Sequence, residues 1–255
     1  MIIKIDSLNL TQTQETPWHE HSWGQLYWLK NGIINVETGK AQWVITPGSV
    51  GWTPKACSHK VKIFSSVQAY VLNLDYSDLD GFPSEPGVYG MNAFLSALLE
   101  RIRQLDGTNS PPNYMAHLLA LLAYDIEQLE ELPLGLPLPS DRRARNIADE
   151  LMKSPSSDLT QEQLASQWGV SVRTLSRIFT KQTGLTFSQW RQQSKIVTSL
   201  TLIQEGMAIA EVAERSGYSN VSAYIEAFRQ RFGETPGKFQ AKALAHERRQ
   251  LSVLD

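Results

Sequence analysis

The sequence predicts a protein of two parts, an N-terminal all-β domain completed by a helical hairpin and a C-terminal all-α domain. Short segments rich in β-branched and aromatic residues alternate with turn-forming residues in the first 80 positions. After residue 90 the apolar residues recur at steps of three and four, which is the period of an amphipathic helix. Charge differs as well: residues 1–140 carry 8 Lys and Arg against 14 Asp and Glu, a balance of −6, whereas residues 141–255 carry 16 against 12, a balance of +4. An anionic partner is therefore expected for the second part.

Composition excludes several classes of protein. Of the 255 residues, 42% are hydrophobic and 20% are charged, as in ordinary globular proteins rather than disordered or fibrous ones. Cys57 is the only cysteine, so an internal disulfide is excluded and a reducing, cytoplasmic compartment is expected. The longest strongly apolar run, residues 118–124, is far shorter than the ~20 residues of a membrane span. We therefore expect neither a membrane segment nor a targeting segment.

The first 80 residues predict a small antiparallel barrel or sandwich. Turns containing Gly, Pro, Asn or Lys separate strand segments at residues 25–29, 33–38, 41–45, 50–53, 61–64 and 67–74. Five of the seven tryptophans fall in this region. Most of them are expected to fill the core, and an aromatic-lined ligand pocket is the alternative.

Residues 88–131 predict a helical hairpin. Apolar residues recur every three or four positions in two stretches, and Pro112 suits the first turn of the second helix. The apolar face of the hairpin must be covered, either by the barrel or by a second copy of the hairpin. We expect the hairpin to mediate dimerisation. The proline-rich residues 132–140 are expected to form a stiff interdomain linker.

Residues 141–245 predict an all-α domain. It contains two helix-turn-helix units, at residues 159–182 and 208–231, joined by one long helix over residues 187–204. A rigid helix fixes the spacing of the two units. Their second helices can therefore enter successive major grooves of one DNA duplex, ~34 Å apart.

The two units share one sequence pattern. Ala165 lies four positions before Gly169, and Ala213 lies four positions before Gly217. A small residue followed by a turn glycine lets two helices cross closely through a tight turn. Ser171 is a natural N-cap for the second helix of the first unit. Two such units in tandem indicate DNA binding much more strongly than one.

A family resemblance follows from these motifs. Residues 209–219 read IAEVAERSGYS and residues 227–236 read AFRQRFGETP. These stretches resemble the signature of the AraC/XylS family of bacterial transcription regulators, and the likeness extends over roughly residues 142–243. The resemblance implies sequence-directed binding of double-stranded promoter DNA by recognition helices at residues 172–181 and 220–231. It also implies a homodimer, and the expected mechanism includes contact with RNA polymerase.

The first recognition helix carries the clearest candidate DNA contacts. Opposite its apolar face lie Arg173, Ser176, Arg177 and Thr180. Arg173 and Arg177 are one helical turn apart, so both can point into a groove, where a bidentate arginine–guanine contact discriminates by ~1–3 kcal/mol. The family's base readers map onto Arg173, Ser176 and Arg177. Two arginines on a solvated helix face are the alternative interpretation.

The second recognition helix departs from the family's pattern. Its candidate contacts are Asn220, Ser222, Glu226 and Arg229. Glu226 stands where many relatives carry a basic residue, and phosphates repel a carboxylate, although it can accept from a cytosine amino group. Whether this helix reads bases is therefore left open. Alternatively, Glu226 is an intramolecular partner of Arg229 or Gln230. Arg229 and Arg231 are expected to contact the DNA backbone.

Histidines form the candidate site of the N-terminal part. On a strand, His19 and His21 point to the same face, as two ligands of one metal must. Together with His59 they form a pattern that resembles the metal site of the cupin barrel. In that barrel the metal ligands are two histidines, a carboxylate and a third histidine. Gln25 stands where the metal-binding cupins usually carry glutamate. This weakens the site, since an amide brings no charge to the metal.

Three interpretations of these histidines are open. They hold a divalent metal, they hydrogen-bond a small-molecule effector in a metal-free pocket, or they are inherited structural residues. Trp28 and Trp43 are expected to line the same pocket as the histidines and Gln25. No cofactor is required for the effector interpretation.

Two functions are compatible with these features. The first is a sequence-specific DNA-binding transcriptional regulator in which a small-molecule effector shifts the population able to bind DNA. The second is a metal-dependent cupin enzyme with a helical appendage. An enzyme needs an intact metal set and a further acid or base in its pocket, and Gln25 in the glutamate position argues against that. We therefore expect a regulator rather than an enzyme.

Overall fold

The structure is a computed structural model that describes residues 2–63, 66–75, 81–105 and 112–241. The chain divides into two compact units. Unit 1 comprises residues 1–36 and 45–133, and unit 2 comprises residues 37–44 and 134–255. Unit 1 is rich in β-structure and unit 2 is mostly helical. The predicted order of a β-rich N-terminal part followed by a helical C-terminal part is confirmed.

The described strands begin near the N-terminus and include all six predicted ones. Their bounds are β1 Ile2–Leu10, β2 Gln14–Glu15, β3 Gly24–Asn31, β4 Ile34–Thr38, β5 Ala41–Ile45, β6 Ser49–Thr53, β7 His59–Ile63, β8 Val67–Leu74, β9 Gly87–Gly90 and β10 Gly135–Pro137. Strands β3 to β8 match the predicted segments to within two residues at either end. The predicted set omits β1, β2, β9 and β10, because these strands are very short, rich in Gly or Pro, or interrupted by polar residues.

The helices follow the predicted apolar periodicity. Their bounds are α1 Ala93–Leu105, α2 Pro112–Gln128, α3 Arg142–Lys153, α4 Gln161–Gln167, α5 Val172–Thr183, α6 Phe187–Gln204, α7 Ile209–Arg215 and α8 Val221–Phe232. No helix within the described ranges is long and apolar enough to cross a membrane.

One antiparallel sheet lies wholly in unit 1, with strand order β1-β8-β3-β6-β9. Its register places Gln25 opposite Asn73 and Trp28 opposite Val50. Successive side chains of a strand point to opposite faces, so Gln25 and Trp28 lie on different faces of β3. Strand β2 pairs with β7 in unit 1, and β10 pairs with β5 in unit 2.

The helical hairpin α1–α2 packs on this sheet. Leu99 of α1 and Leu122 of α2 are completely buried in one apolar cluster with Leu26, Trp28 and Trp52 of the sheet. The sheet therefore covers the apolar face of the hairpin, which decides between the two coverings left open by the sequence. The opposite side of the hairpin exposes large apolar side chains, namely Phe94, Tyr114, Leu121 and Tyr124.

The segment predicted as a linker is structured. Strand β10 lies within residues 132–140, and its residues Gly135 and Pro137 pair with Trp43 and Ala41 of β5. The indole Nε1 of Trp190 in α6 donates to the carbonyl oxygen of Pro137 at 2.6 Å. Proline fits an edge strand, because it has no N–H to donate to a further neighbour. Residues 135–137 are therefore part of unit 2 rather than a plain connection.

Capping residues define the two helix pairs α4–α5 and α7–α8. The predicted N-cap Ser171 is confirmed, since its side chain accepts a hydrogen bond from the backbone N–H of Thr174. Thr160 forms a capping box at the start of α4. The turn glycines Gly169 and Gly217 have φ values of +63° and +75°, a region in which only glycine is free of strain.

Gly217→Ala should destabilise unit 2 more than Gly169→Ala. A Cβ at either position costs ~1–2 kcal/mol in this backbone region. At Gly217 the Cβ would also lie 2.8 Å from Cα of Ser156, whereas nothing lies within 4 Å at Gly169. Overpacking adds ~1–3 kcal/mol, so urea unfolding of the two variants should separate them by at least about 1 kcal/mol. Equal stabilities would contradict the close approach at Gly217.

Candidate functional site

Three histidines converge in unit 1. His19 and His59 exchange backbone hydrogen bonds of 3.0 and 2.8 Å, which holds the segment before β3 against the start of β7. The ring centroid of His19 lies 4.9 Å from that of His21 and 4.4 Å from that of His59. One potential ligand atom from each of the three side chains lies within 4.8 Å of the others. The sequence-predicted trio is thus brought together.

Backbone carbonyls orient two of these rings. His19 Nδ1 lies 2.8 Å from the carbonyl oxygen of Pro17, and His59 Nδ1 lies 2.8 Å from that of Cys57. A carbonyl oxygen only accepts, so each Nδ1 carries the proton and each Nε2 carries the lone pair. Burial, as the largest cause, lowers the pKa of His59 and that of His21. Neutral imidazole is therefore the favoured form of both.

The turn before His59 contains a strained residue. Ala56 has a φ of 57°, a left-handed conformation that non-glycine residues adopt rarely. Its backbone N–H donates to the carbonyl oxygen of His21 at 2.8 Å. This hydrogen bond ties the turn directly to the histidine cluster. Such strain persists only where the surrounding structure imposes it.

A buried amide network lies next to the cluster. The Oδ1 of Asn73 accepts from Trp23 Nε1 at 3.0 Å and from Gln25 Nε2 at 2.9 Å, and its Nδ2 donates to Asp6 at 2.8 Å. Trp23 in turn stacks on His21, with ring centroids 4.9 Å apart and planes 18° from parallel. Through Trp23 the network therefore supports one of the three histidines.

Gln25 is occupied by protein partners. Its Oε1 accepts from the hydroxyl of Tyr27 at 2.6 Å, while its Nε2 donates to Asn73. The position expected to supply a fourth pocket ligand thus serves the hydrogen-bond network of the sheet.

Neither tryptophan assigned to the pocket joins the histidines. Trp28 is 7% exposed and belongs to the apolar cluster between the sheet and the hairpin, on the face of β3 opposite Gln25. Its assignment to the histidine pocket is wrong, because residue alternation along β3 turns it the other way. Trp43 belongs to unit 2, where its indole Nε1 faces Gly135 of β10. The cluster instead contacts Trp23.

In unit 2 the exposed face of α5 carries the predicted polar side chains. Arg173, Arg177 and Thr180 are exposed, while Leu175 and Phe179 are completely buried on the opposite face. Ser176 is half-buried and its hydroxyl accepts from Gln161 Nε2 at 2.8 Å. Two arginines and a threonine thus project from the exposed side of α5, whose opposite side is buried.

On α8 the predicted residues are partly engaged with one another. Glu226 pairs with Arg229 at 2.8 Å and accepts from Gln230 Nε2 at 3.3 Å. This is the intramolecular alternative for Glu226. Asn220 caps the helix by accepting from the backbone N–H of Ser222, and both residues are exposed at its N-terminal turn.

Arg231 does not face outward, which corrects the expectation that it contacts the DNA backbone. Its guanidinium donates to the carbonyl oxygen of Gly135, and burial lowers its pKa. Strand β10 captures this side chain from the end of α8. This contact was not predictable from the sequence, because the two residues are 96 positions apart.

Comparisons with known proteins agree with this geometry. The helix-turn-helix domain model matches residues 164–242, which include α5 to α8. The HTH-type transcriptional regulator NimR of Escherichia coli is 26% identical over 232 residues, covering 91% of this chain and 85% of NimR. The regulator RipA of Corynebacterium glutamicum is 28% identical over 217 residues, covering 84% of this chain and 61% of RipA.

This chain is a helix-turn-helix regulator of transcription. Among solved structures, ToxT of Vibrio cholerae covers 93% of the regulator and 97% of its own chain, at 11% identity and a TM-score of 0.40.

Two further cations of the regulator lie in a groove between α4, α6 and the turn before α8. Arg191 donates to the carbonyl oxygens of Ser157 and Leu159, and Lys195 donates to that of Gly217 at 2.8 Å. Burial lowers the pKa of both side chains. These two side chains connect α6 to the segment before α4 and to the turn before α8. In the sequence, only their separation of four residues, about one helical turn, indicated that they share a face of α6.

Asn73→Ala should lower the free energy of unfolding by about 2–4 kcal/mol, since it leaves the Gln25 amide and the Trp23 N–H without their acceptor. Equilibrium urea unfolding followed by circular dichroism measures the change. Gln68→Ala, at an exposed position of the same strand, is the matched control and should change stability by less than ~0.5 kcal/mol. Similar values for the two variants would contradict a supporting role of the network.

Proposed function

We propose that the regulator binds promoter DNA through two helix-turn-helix units, α4–α5 and α7–α8, and that a cupin-like N-terminal barrel senses a small-molecule effector. The observation that carries the DNA-binding part is the exposed side of α5, from which Arg173, Arg177 and Thr180 project. A helix with this polar face and a buried apolar face fits the major groove.

Arg173 and Arg177 are the proposed base readers. They are four positions apart, so their guanidinium groups project from neighbouring turns of α5. Each guanidinium offers paired donors to the O6 and N7 acceptors of guanine. Thr180 and Ser176 complete this face, with Ser176 also held by Gln161. This unit supplies most of the sequence discrimination in the proposed complex.

The second unit contributes mainly position. Asn220 and Ser222 lie at the N-terminal turn of α8, the end that points toward DNA in such units. Arg229 is proposed to contact phosphate. Its exposed ion pair with Glu226 is worth only ~0–1 kcal/mol, so phosphate can compete for the guanidinium. Glu226 itself reads no base in this proposal.

The histidine cluster is the proposed sensing site of unit 1. Its rings are oriented by backbone carbonyls and supported by the Asn73 network, which are the properties of a preorganised site. Effector binding there would shift the population of molecules competent to bind DNA or to contact RNA polymerase.

Selection of binding sequences tests the proposed function. The full chain is incubated with a pool of duplexes that contain a random window of about two helical turns, and bound duplexes are enriched and sequenced. Two conserved blocks about 10 base pairs apart are expected, because the two units would occupy successive major grooves. A pool that stays random with every salt concentration tried would reject sequence-specific binding. A single conserved block would restrict base reading to one unit.

Arg177→Ala should relax base preference, while Arg229→Ala should weaken binding to all sequences alike. Fluorescence anisotropy at one fixed salt concentration compares the selected duplex with a scrambled one. Loss of a bidentate guanine contact costs ~1–3 kcal/mol, or about 5- to 150-fold in the affinity ratio. Lys153→Ala, which removes the same charge from an exposed position of α3, is the control and should leave the ratio unchanged. Identical ratios for Arg177→Ala and Arg229→Ala would overturn the assignments.

We also propose that the regulator dimerises through the outer side of the α1–α2 hairpin. Tyr124 is 66% exposed and Leu121 is 48% exposed there, while the other side of the hairpin is buried against the sheet. Leu121→Glu should convert a dimer into a monomer, because a charge on an apolar interface is desolvated without a partner. Light scattering after size-exclusion chromatography measures the mass. Gln68→Glu, which adds the same charge on β8, should remain dimeric, and a dimeric Leu121→Glu variant would place the interface elsewhere.

A further inference from the structure

We propose that His19, His21 and His59 together bind one divalent transition-metal ion. The site lies in the unit to which the proposed function assigns effector sensing. The inference rests on that function only where it gives the bound metal a role in regulation. The binding of the ion itself is argued from the imidazole nitrogens.

The first argument is the state of those nitrogens. Nε2 of His21 and Nε2 of His59 are buried and have no hydrogen-bond partner among the described residues. Buried polar atoms are nearly always paired, so two unpaired nitrogens in one cluster call for a ligand. The lone pair of His59 Nε2 can only accept, and His21 Nε2 carries one in the tautomer protonated at Nδ1. A metal ion is the ligand that several such lone pairs can share.

The second argument is orientation. His19 and His59 each direct Nδ1–H at a backbone carbonyl oxygen 2.8 Å away. Metal-binding histidines almost always donate their other N–H in this way, because the hydrogen bond fixes the tautomer and the plane of the ring.

The third argument is distance. With metal–nitrogen bonds of ~2.1 Å, the nitrogens of a tetrahedral site lie about 3.4 Å apart. The donor atoms here lie within 4.8 Å of one another. Small rotations of His19 and His21, which are half-buried, bring them to that spacing, while the strained turn at Ala56 and the paired backbone hold His59 in place.

The donor set selects the class of ion. Three imidazoles without a carboxylate suit zinc, nickel, cobalt and copper, whereas magnesium and calcium require oxygen ligands. Gln25 supplies no fourth ligand, because both of its amide atoms are engaged by Tyr27 and Asn73. A fourth coordination position is thus left for water or for a donor atom of an effector.

Isothermal titration of the untagged full chain, first stripped with a chelator, tests the proposal. Zinc chloride should bind at one ion per chain with a Kd of about 1 μM or tighter, and magnesium chloride should not bind. Cobalt chloride should give the strong visible absorption of tetrahedral Co²⁺ bound by imidazoles. Zinc should also raise the melting temperature, since it binds the folded state.

His21→Ala and His59→Gln should each weaken zinc binding at least about 100-fold and abolish the cobalt spectrum. His117→Ala, at an exposed position of α2, is the matched control and should bind zinc as the parent chain does. Far-UV circular dichroism verifies folding. His21→Ala serves where the buried His59 proves necessary for folding. Unchanged zinc affinity in a folded His21→Ala variant, or no zinc binding by the parent chain, would overturn the proposal.

The same samples separate this inference from the proposed function. Selection of DNA sequences by the stripped chain tests DNA binding without the metal. Stoichiometric zinc binding that depends on His21, in a chain that enriches no DNA sequence, would uphold the metal site and reject the proposed function. Enrichment of a DNA site by a chain that binds no zinc would reject the metal site and uphold the proposed DNA binding.

Discussion

Helix α6 has to satisfy neighbours on several sides at once, and the arrangement of the C-terminal unit depends on it. Trp190 is completely buried and donates to the carbonyl oxygen of Pro137, while the buried hydroxyl of Ser199 pairs with that of Tyr224 in α8 at 2.9 Å. Lys195 donates to Gly217 in the turn between α7 and α8. A rotation of α6 would leave these groups unpaired at a cost of ~1–3 kcal/mol each. The helix therefore has one stable orientation, and both helix pairs are built against it.

In the N-terminal unit, Asn73 is the residue whose several hydrogen bonds determine the arrangement of its neighbours. Its amide joins strands β1, β3 and β8 through Asp6 and Gln25, and it holds the indole of Trp23 beneath His21. A buried network of this kind is stabilising only when every member is paired. Beside this network, two imidazole nitrogens of the cluster have no hydrogen-bond partner among the described residues, and the proposed metal site rests on that difference.

The C-terminal helices were predictable because their signals are local. Ser171 caps α5 and Gly169 ends the turn before it, and each acts within four residues of its own position. The sheet was predictable only as separate strands. The pairing of Gln25 with Asn73 spans 48 residues and follows from the register, which the strand pattern does not specify. Trp28 lies three positions from Gln25, so alternation along β3 alone places the two side chains on opposite faces. Strand β10 was not predicted because it lies among prolines.

The charges of the two helix pairs are unequal, and this bears on how the proposed complex would divide its work. On α5, Arg173 and Arg177 are both exposed, whereas on α8 Glu226 pairs with Arg229 and strand β10 holds Arg231. A phosphate that displaces Glu226 from Arg229 gains one contact but leaves a carboxylate beside the DNA, which repels it. The second unit therefore adds little net attraction. It can still fix the orientation of the first unit, because contacts to phosphate position a protein on the duplex while base contacts specify the sequence.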